Sequence, residues 1–345
     1  MNEAATHAQA QPLAAARPAP VLVAGATGYT GALAARLVWE HPSLELVAAT
    51  SRSEAGKRLD EVDPARGVPI ELSAPDLRAL DGVEAAIVAL PHGAAAHLAA
   101  ELHERGVKVV DLSADLRLRD LATYERWYGA HDAPHLIGEA VYGMTELDRD
   151  RIAEATLVAN PGCYPTAALL ALAPLARAGL CAEVVIDAKS GYSGAGRGAV
   201  DPDRITHDFR PYGTAGHRHG PEIEQELAAM GARGPASFVP HLLPVEQGLL
   251  ASCYVTPTRP IEPAELVDLY AGAYAEEPFV DVTDVPPGVG DVRETNRADV
   301  HVSLDAGSGR VLVFCAIDNL WKGASGQAVQ NLNLMLGLDE TQGLG

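Results

Sequence analysis

The chain has 345 residues, of which 48% are hydrophobic, so it can bury the cores of two domains of ordinary size. Asp and Glu total 46 against 26 Lys and Arg, a formal net charge of -20 at pH 7 that argues against nucleic acid and membrane surfaces as partners. Because the sequence also lacks an apolar signal core and a transmembrane run, we expect a cytoplasmic protein whose residues 1–18 form a disordered tail.

The first half of the chain has the pattern of an α/β domain, which we place at residues 19–160. A short V-L-V-A-G run predicts a strand, the following G-A-T-G-Y-T-G a tight loop, and the apolar spacing after it a helix. Apolar runs at 44–50, 85–90 and 107–112 predict further strands, with helical stretches between them. This alternation predicts a parallel, doubly wound sheet.

Three glycines mark a candidate nucleotide loop between the first strand and the first helix. Gly25, Gly28 and Gly31 form G-x-x-G-x-x-G, where backbone N–H groups can approach a pyrophosphate at the helix N-terminus. Such a triplet can also serve only as a tight turn. The strand before it and the helix after it favour dinucleotide binding.

The end of the second predicted strand bears on the choice of nucleotide. An NAD site usually has an acidic residue there to hold the ribose 2′-hydroxyl, whereas this chain has Ser51, Arg52 and Ser53. Cationic and hydroxyl donors suit a 2′-phosphate, so NADP(H) is favoured. The alternative is that Arg52 is an ordinary solvated surface charge.

The chain changes character near Asn160, and we place a second domain at residues 161–320. Long β-rich runs such as E-V-V-I-D-A-K and G-L-L-A-S-C-Y-V-T-P are joined by irregular segments, which predicts a mixed or antiparallel sheet. The last segment, residues 321–345, contains a predicted helix that ends at Gly337.

One of the four cysteines has the surroundings of a nucleophile. The run N-P-G-C-Y-P-T places Cys163 at the start of a predicted helix, with Pro165 suited to the first turn. The positive end of the helix dipole favours the thiolate there. The other cysteines lie in apolar or strand-like surroundings and are expected to be buried and structural: Cys181, Cys253 and Cys315.

A thiol nucleophile needs a group that accepts and donates a proton near neutral pH, and histidine suits this. In G-H-R-H-G-P-E, His217 and His219 precede a predicted helix, and residues two apart in an extended stretch can face one pocket. Metal binding is the alternative, but third and fourth ligands at recognisable spacing are lacking. His92, at the end of a strand, is a candidate for lining the site.

Two segments are candidates for anion binding. The Gly-rich run D-A-K-S-G-Y-S-G-A-G-R supplies Lys189, Ser190, Ser193 and Arg197, and its backbone can wrap around an anion. In D-L-S-A-D-L-R, the guanidinium of Arg117 suits a carboxylate. The alternative for each arginine is a surface salt bridge.

Taken together, these segments resemble the N-acetyl-gamma-glutamyl-phosphate reductase family, related to aspartate-semialdehyde dehydrogenase. The resemblance runs from about residue 21 to 337 and includes G-A-T-G-Y-T-G, A-L-P-H-G, V-Y-G-M-T-E-L, A-N-P-G-C-Y-P-T, H-R-H-G-P-E-I and L-W-K-G-A-S-G-Q-A-V-Q-N-L-N. It implies an α/β Rossmann domain that binds NADP(H), then an α+β catalytic and dimerisation domain of glyceraldehyde-3-phosphate dehydrogenase type. The C-terminal helix would pack back on the first domain, and the chain would form a homodimer or homotetramer.

The resemblance also implies a reaction and a set of residues. NADPH would reduce N-acetyl-gamma-glutamyl phosphate to N-acetylglutamate 5-semialdehyde and phosphate in arginine biosynthesis, through a thioester on Cys163, with His219 and His217 as acid-base residues. Substrate would contact Arg117, Asn160, Ser193 and Arg197. The cofactor would contact Gly25, Thr27, Gly28, Tyr29, Thr30, Gly31, Ser51, Arg52, Ser53, Pro91, Ser190, Gly191, Asn319 and Gly323, and no metal is expected.

One position departs from the family pattern, and other functions stay open. The family commonly has an arginine after P-H-L where this chain has Gln247, which leaves room for a shifted substrate preference. One alternative is the carrier-linked aminoadipyl phosphate reductase of lysine biosynthesis, although the net charge of -20 disfavours an acidic carrier. Another is a silent NADP-binding regulatory protein, which would have lost Cys163 or the two histidines.

Overall fold

The computed structural model describes residues 17–76, 81–198 and 201–345. The predicted tail therefore lies outside the described residues, apart from its last two. Within these ranges, no helix combines the length and the apolar character that crossing a membrane requires.

The apolar runs of the first half form a parallel sheet, as predicted. In the described residues its order is β3-β2-β1-β4-β5-β7-β6. The strands β1 and β4 are buried almost throughout, because helices cover both faces of the sheet, and this explains why they are continuous apolar runs. The strands are β1 (Ala19–Ala24), β2 (Leu44–Thr50), β3 (Leu72–Ser73), β4 (Ala85–Val88), β5 (Lys108–Asp111), β6 (Val141–Tyr142) and β7 (Leu157–Ala159).

The helices of this half are α1 (Tyr29–Glu40), α2 (Leu59–Val62), α3 (Ala96–Glu104), α4 (Leu121–Tyr128) and α5 (Thr145–Glu154). The strand order reverses between β1 and β4, which sends the chain to opposite sides of β1. A parallel α/β sheet binds ligands at the carboxyl ends of its strands beside such a switch point. The loop that starts at Gly25 lies there.

The second half forms a mixed sheet, also as predicted. In the described residues its order is β12-β13-β14-β11-β8-β10-β9, with β8 parallel to β10 and antiparallel to β11. Its strands are β8 (Cys181–Gly191), β9 (Arg210–Pro211), β10 (Ala236–Leu243), β11 (Leu249–Pro257), β12 (Val280–Val282), β13 (Ala298–Asp305) and β14 (Arg310–Ile317). The helices are α6 (Cys163–Arg177), α7 (Pro202–Ile205), α8 (His219–Ala229) and α9 (Pro263–Tyr274), and α6, α8 and α9 pack on this sheet.

The end of the chain returns to the first sheet. A π-helical turn, Trp321–Ser325, leads into α10 (Gly326–Met335), which packs against α5, β5 and α1. The hydroxyl of Ser325 donates to the carbonyl oxygen of Thr30, in the first turn of α1, at 2.8 Å. Lys322, fully buried in this turn, pairs with Glu146 of α5. These contacts hold the turn beside the nucleotide loop.

Candidate active site

The three glycines of the nucleotide loop have different surroundings. Gly25 has φ +84°, and a Cβ on it would lie 2.5 Å from the carbonyl oxygen of Ala89. A Cβ on Gly31 would lie 2.1 Å from the Gly25 oxygen, whereas one on Gly28 would meet only that oxygen, at 3.9 Å. Gly25 and Gly31 therefore keep β1, β4 and α1 close together. Gly28 leaves open space before the N-terminus of α1, which fits a pyrophosphate.

The residues after β2 also fit a nucleotide. Ser51, Arg52 and Ser53 line the same cleft as the glycine loop, and the Ser51 hydroxyl lies 3.3 Å from that of Thr27. The Ser51 hydroxyl also accepts a hydrogen bond from the backbone N–H of Glu54 at 3.2 Å, which holds the turn. A guanidinium and two hydroxyls at this edge match what a ribose 2′-phosphate needs.

Most of the predicted site residues meet in one cleft of about 1170 Å³ between the two sheets. Those that line it are Gly25, Thr27, Gly28, Tyr29, Thr30, Ser51, Arg52, Ser53, Pro91, Arg117, Cys163, Ser193, Arg197, His219, Asn319 and Gly323. His92, Gly162 and Ala324 line it as well. The residues that do not line it are Gly31, Asn160, Ser190, Gly191 and His217.

Cys163 is the first residue of α6, as its turn sequence predicts, and Gly162 caps the helix in an extended conformation. A Cβ on Gly323 would lie 2.7 Å from the Cβ of Cys163, so only glycine lets the π-helical turn approach the thiol this closely. The predicted stabilisation of the thiolate is outweighed in this structure. Desolvation raises the pKa of Cys163 to about 11, although the nearby cation of Arg117 lowers it.

The two histidines do not share the cleft, contrary to the expectation from an extended stretch. His219 begins α8 and lines the cleft, and its Nε2 would lie 2.6 Å from a Cβ on Gly162, the residue before Cys163. His217 points away from the cleft into a cluster with Tyr164, Tyr212 and Phe238, and its Nδ1 accepts the backbone N–H of His219 at 3.1 Å. His217 therefore holds the backbone of His219 through this hydrogen bond.

Both imidazoles are held neutral. Desolvation, and to a lesser extent His217, Arg117 and Arg218, keep the pKa of His219 well below its usual value. Desolvation and Arg218 lower the pKa of His217 to about 4. A neutral His219 beside a protonated thiol is a base ready to receive its proton.

A buried carboxylate that the sequence alone did not assign positions the nucleophile. Glu222, 1% exposed, accepts the backbone N–H of Gly162 at 2.9 Å and the hydroxyl of Tyr142 at 2.8 Å. Its other oxygen lies 3.6 Å from Nη1 of Arg117. Burial raises the pKa of Glu222, and Arg117 opposes that shift. The short spacing from His219 to Glu222, three residues on one helix face, was the available signal.

Arg117 is 7% exposed, and two of its three nitrogens donate to backbone carbonyl oxygens. Nε donates to the carbonyl oxygen of Asn160 at 2.8 Å, and Nη2 to that of Leu112 at 2.7 Å. Its Nη1 would lie 2.9 Å from a Cβ on Gly162. Arg117 therefore fixes the turn before Cys163 and offers at most one edge to a ligand.

Asn160 is fully buried, and its side chain has no access to the cleft. Nδ2 donates to the carbonyl oxygens of Pro161 and Ala324, both at 3.3 Å, and Oδ1 accepts from Asn331 of α10 at 3.0 Å. This side chain ties the turn before Cys163 to the π-helical turn and to α10. Its position fits a structural role better than substrate contact.

Residues of the Gly-rich loop that was predicted to bind an anion lie at different parts of the cleft. Ser193 donates to the carbonyl oxygen of Glu246 at 2.6 Å and accepts from Asn319 at 2.9 Å, which braces the wall of the cleft. Arg197 lies at the nucleotide end, paired with Asp63 and 4.8 Å above the ring of Tyr29.

The start of that loop, from Lys189 to Gly191, lies outside the cleft. Lys189 points away and pairs with Asp187 at 2.9 Å. Ser190 is 3% exposed, and its hydroxyl donates to the carbonyl oxygen of Gly191. A Cβ on Gly191 would lie 2.5 Å from the carbonyl oxygen of Glu246, so this part of the loop packs behind the cleft wall.

Comparison with known proteins decides the family. Two domain models match, the NAD binding domain of semialdehyde dehydrogenase over residues 20–155 and its dimerisation domain over 163–319. The N-acetyl-gamma-glutamyl-phosphate reductase of Moorella thermoacetica is 48% identical over 341 residues, covering 93% of this chain and 96% of its own length. The chain belongs to the N-acetyl-gamma-glutamyl-phosphate reductase family. The family member from Halorhodospira halophila is 47% identical, with 93% and 96% covered.

Solved structures confirm the fold that the family resemblance implies. Aspartate semialdehyde dehydrogenase II of Vibrio cholerae, complexed with ASA, superposes with a TM-score of 0.70 at 18% identity, covering 93% of this chain and 99% of its own. Aspartate semialdehyde dehydrogenase of Candida albicans with NADP gives 0.65 at 17% identity, covering 92% and 98%. The N-acetyl-gamma-glutamyl-phosphate reductase family member described here thus has an NAD(P)-binding Rossmann domain and a semialdehyde dehydrogenase dimerisation domain.

Proposed function

We propose that this protein reduces N-acetyl-gamma-glutamyl phosphate to N-acetylglutamate semialdehyde and phosphate, using NADPH and a thioester on Cys163. The observation that carries the proposal is the meeting of a thiol, a neutral imidazole and a guanidinium, from Cys163, His219 and Arg117, at one end of a cleft that starts at a nucleotide loop. The identity of the acyl group, N-acetyl-gamma-glutamyl, is inferred from family membership.

The first step is activation of the thiol. Because desolvation raises the pKa of Cys163 to about 11, little thiolate exists at neutral pH before substrate binds. His219 takes the proton, which gives a thiolate and an imidazolium, and the Arg117 cation favours the negative charge on sulfur. Glu222 holds the N–H of Gly162 and keeps the turn in place during the transfer.

The sulfur then attacks the gamma-carbonyl carbon of the acyl phosphate. The C–S bond forms, the bond from carbon to the phosphate oxygen breaks, and His219 supplies a proton to the departing phosphate. When bound, NADPH supplies a hydride to the thioester carbonyl. The hemithioacetal alkoxide that results collapses as its C–S bond breaks, which releases the aldehyde and the Cys163 thiolate. His219 then passes a proton from solvent to this thiolate and so restores the starting thiol. Splitting the reaction in this way lowers the barrier of each half.

We propose NADPH in preference to NADH because of Ser51, Arg52 and Ser53 at the edge of the cleft. We also propose a cytoplasmic enzyme with domain limits at 19–160, 161–320 and 321–345. A homodimer or homotetramer is supported by the sheet face opposite α6, where half-buried apolar side chains follow neighbouring strands: Val185, Leu250, Tyr254, Leu312 and Phe314.

The test is the phosphate-dependent oxidation of N-acetylglutamate semialdehyde with NADP, beside N-acetylaminoadipate semialdehyde as the competing substrate. Cys163→Ser should abolish turnover and leave NADPH binding intact. Cys181→Ala, which alters a buried thiol away from the cleft, should keep activity and serves as the matched control. Full activity of Cys163→Ser, or a preference for the longer aldehyde, would contradict the proposal.

A further inference from the structure

A guanidinium that has no anionic partner among the described residues stands at the mouth of the cleft. Arg218, between the two histidines, crosses from the second half of the chain to the first. Its Nη1 donates to the ring of His92, 2.5 Å from Nε2, and its Cζ lies 5.6 Å from the ring centroid of Tyr128. The rings of His92 and Tyr128 contact each other edge to face. His92 lines the cleft, so Arg218 stands at its rim.

The two groups that hold Arg218 position it and leave its charge uncompensated. Desolvation and the Arg218 cation lower the pKa of His92, so this imidazole is neutral at pH 7 and accepts the hydrogen bond. Tyr128 offers the face of its ring, and desolvation raises the pKa of its hydroxyl to about 12. In the described part of the chain, neither partner of Arg218 is an anion. The guanidinium is thus preorganised for a ligand anion.

The arginines that line the cleft are less available, and one of them, Arg52, lies with Ser51 and Ser53 at the proposed 2′-phosphate site. Arg117 donates to two backbone carbonyl oxygens and faces Glu222. Arg197 is paired with Asp63 and stacked on Tyr29, at the nucleotide end. The proposed substrate carries a carboxylate on its alpha carbon, away from the carbonyl that Cys163 attacks, and that carboxylate needs a cation at the rim.

We propose that Arg218 binds the alpha-carboxylate of the substrate and so selects acyl phosphates that carry a free carboxylate. The inference rests on the proposed function and names the group that sets its substrate class. His92 and Tyr128 act as positioning residues that hold the guanidinium fork toward the cleft. Because Arg218 directly precedes His219 in the chain, the proposed carboxylate ligand and the proposed base are adjacent residues.

The experiment compares two aldehydes, each oxidised with NADP and phosphate. One is N-acetylglutamate semialdehyde and the other is N-acetyl-gamma-aminobutyraldehyde, which lacks only the carboxylate. Wild type should prefer the carboxylate-bearing aldehyde. Arg218→Met should reduce that preference by about 10- to 100-fold, the loss expected for one charge-assisted hydrogen bond, through a higher KM for that aldehyde alone. Arg218→Lys should recover part of the preference because it restores the charge without the fork.

Arg126→Met is the matched control, because it removes an exposed arginine from α4, the helix that carries Tyr128. It should keep the wild-type preference. An unchanged aldehyde preference in Arg218→Met overturns the inference. A rise in the KM for phosphate, with no change in the KM for the aldehyde, overturns it as well, because that result would place phosphate at Arg218. If wild type oxidises both aldehydes equally well, the inference fails while the proposed function stands. If it oxidises neither, both fail.

Discussion

Replacing Gly162, the residue before Cys163, by alanine would press a methyl group against the side chains of His219 and Arg117. The added Cβ would lie 2.6 Å from Nε2 of His219 and 2.9 Å from Nη1 of Arg117. Gly162 has φ -69° and ψ 152°, an extended conformation that alanine adopts without strain. The effect of the substitution is therefore displacement of His219 and Arg117 alone.

The size of the effect follows from the geometry. A contact of 3.0–3.4 Å requires Nε2 of His219 to retreat by about 0.4–0.8 Å. A misplacement near 1 Å in a catalytic group costs about 100-fold in rate, so a displacement of this size should lower kcat/KM by about 6- to 40-fold. Overpacking should cost about 1–3 kcal/mol of stability, too little to unfold the chain.

The assay is the initial rate of phosphate-dependent aldehyde oxidation, with the free energy of unfolding measured in urea. Gly220→Ala is the matched control, because a Cβ there meets nothing within 4 Å and the residue follows His219 in the first turn of α8. It should keep full activity and gain up to about 1 kcal/mol of helix stability. A Gly162→Ala enzyme with more than half of the wild-type rate would refute the assignment of His219 as the base beside Cys163.

Three further outcomes are expected. Lys322→Met should lower the free energy of unfolding in urea by about 3–5 kcal/mol, because it leaves the buried carboxylate of Glu146 uncompensated. Adding Glu146→Leu should recover much of that loss, and equal stability of the single and double variants would argue against this pairing. Arg52→Gln should raise the KM for NADPH about tenfold and leave that for NADH unchanged, and equal effects on both would remove the case for a 2′-phosphate site. Since desolvation raises the pKa of Cys163 to about 11, the rate of Cys163 alkylation by iodoacetamide without substrate should keep increasing as the pH rises toward 11. Cys163→Ser gives the background rate, and a plateau below pH 8 would contradict the raised pKa.

Much of the fold could be predicted because its strands are buried on both faces. The strands β1 and β4 are continuous apolar runs in the sequence, and their alternation with helices leaves few arrangements besides a parallel sheet. The neighbours of β8 could not be predicted. It pairs with β10 in parallel and β11 antiparallel, a choice made by side-chain packing among distant segments.

The site was predictable where chemistry is local and less so where it depends on burial. Cys163 could be found from its turn, since Gly162 and the helix start are adjacent in sequence. The pKa of Cys163 could not be predicted, because the helix terminus favours the thiolate while desolvation by burial opposes it more strongly. The two histidines do not lie in an extended stretch, because α8 begins at His219. Their ring centroids are 4.9 Å apart, but His217 is not among the residues that line the cleft.

The sequence also could not predict which arginine is free to bind substrate. Their guanidinium groups suit anions, but their partners lie far away in sequence: Asp63 for Arg197, and Glu222 for Arg117. A pattern of residue types identifies a cation that could bind substrate. Only the folded chain shows that the described partners of Arg218, His92 and Tyr128, are not anions.

The central claim is that the acyl group passes through a thioester on Cys163. The most direct test is to mix the enzyme with N-acetyl-gamma-glutamyl phosphate without NADPH, quench in acid, and locate the acyl group by peptide mass spectrometry. The account predicts one N-acetylglutamyl group on the peptide that contains Cys163, lost when NADPH is added before the quench and absent from Cys163→Ser. An acyl group on another residue, or none in an enzyme that turns over normally, would contradict it.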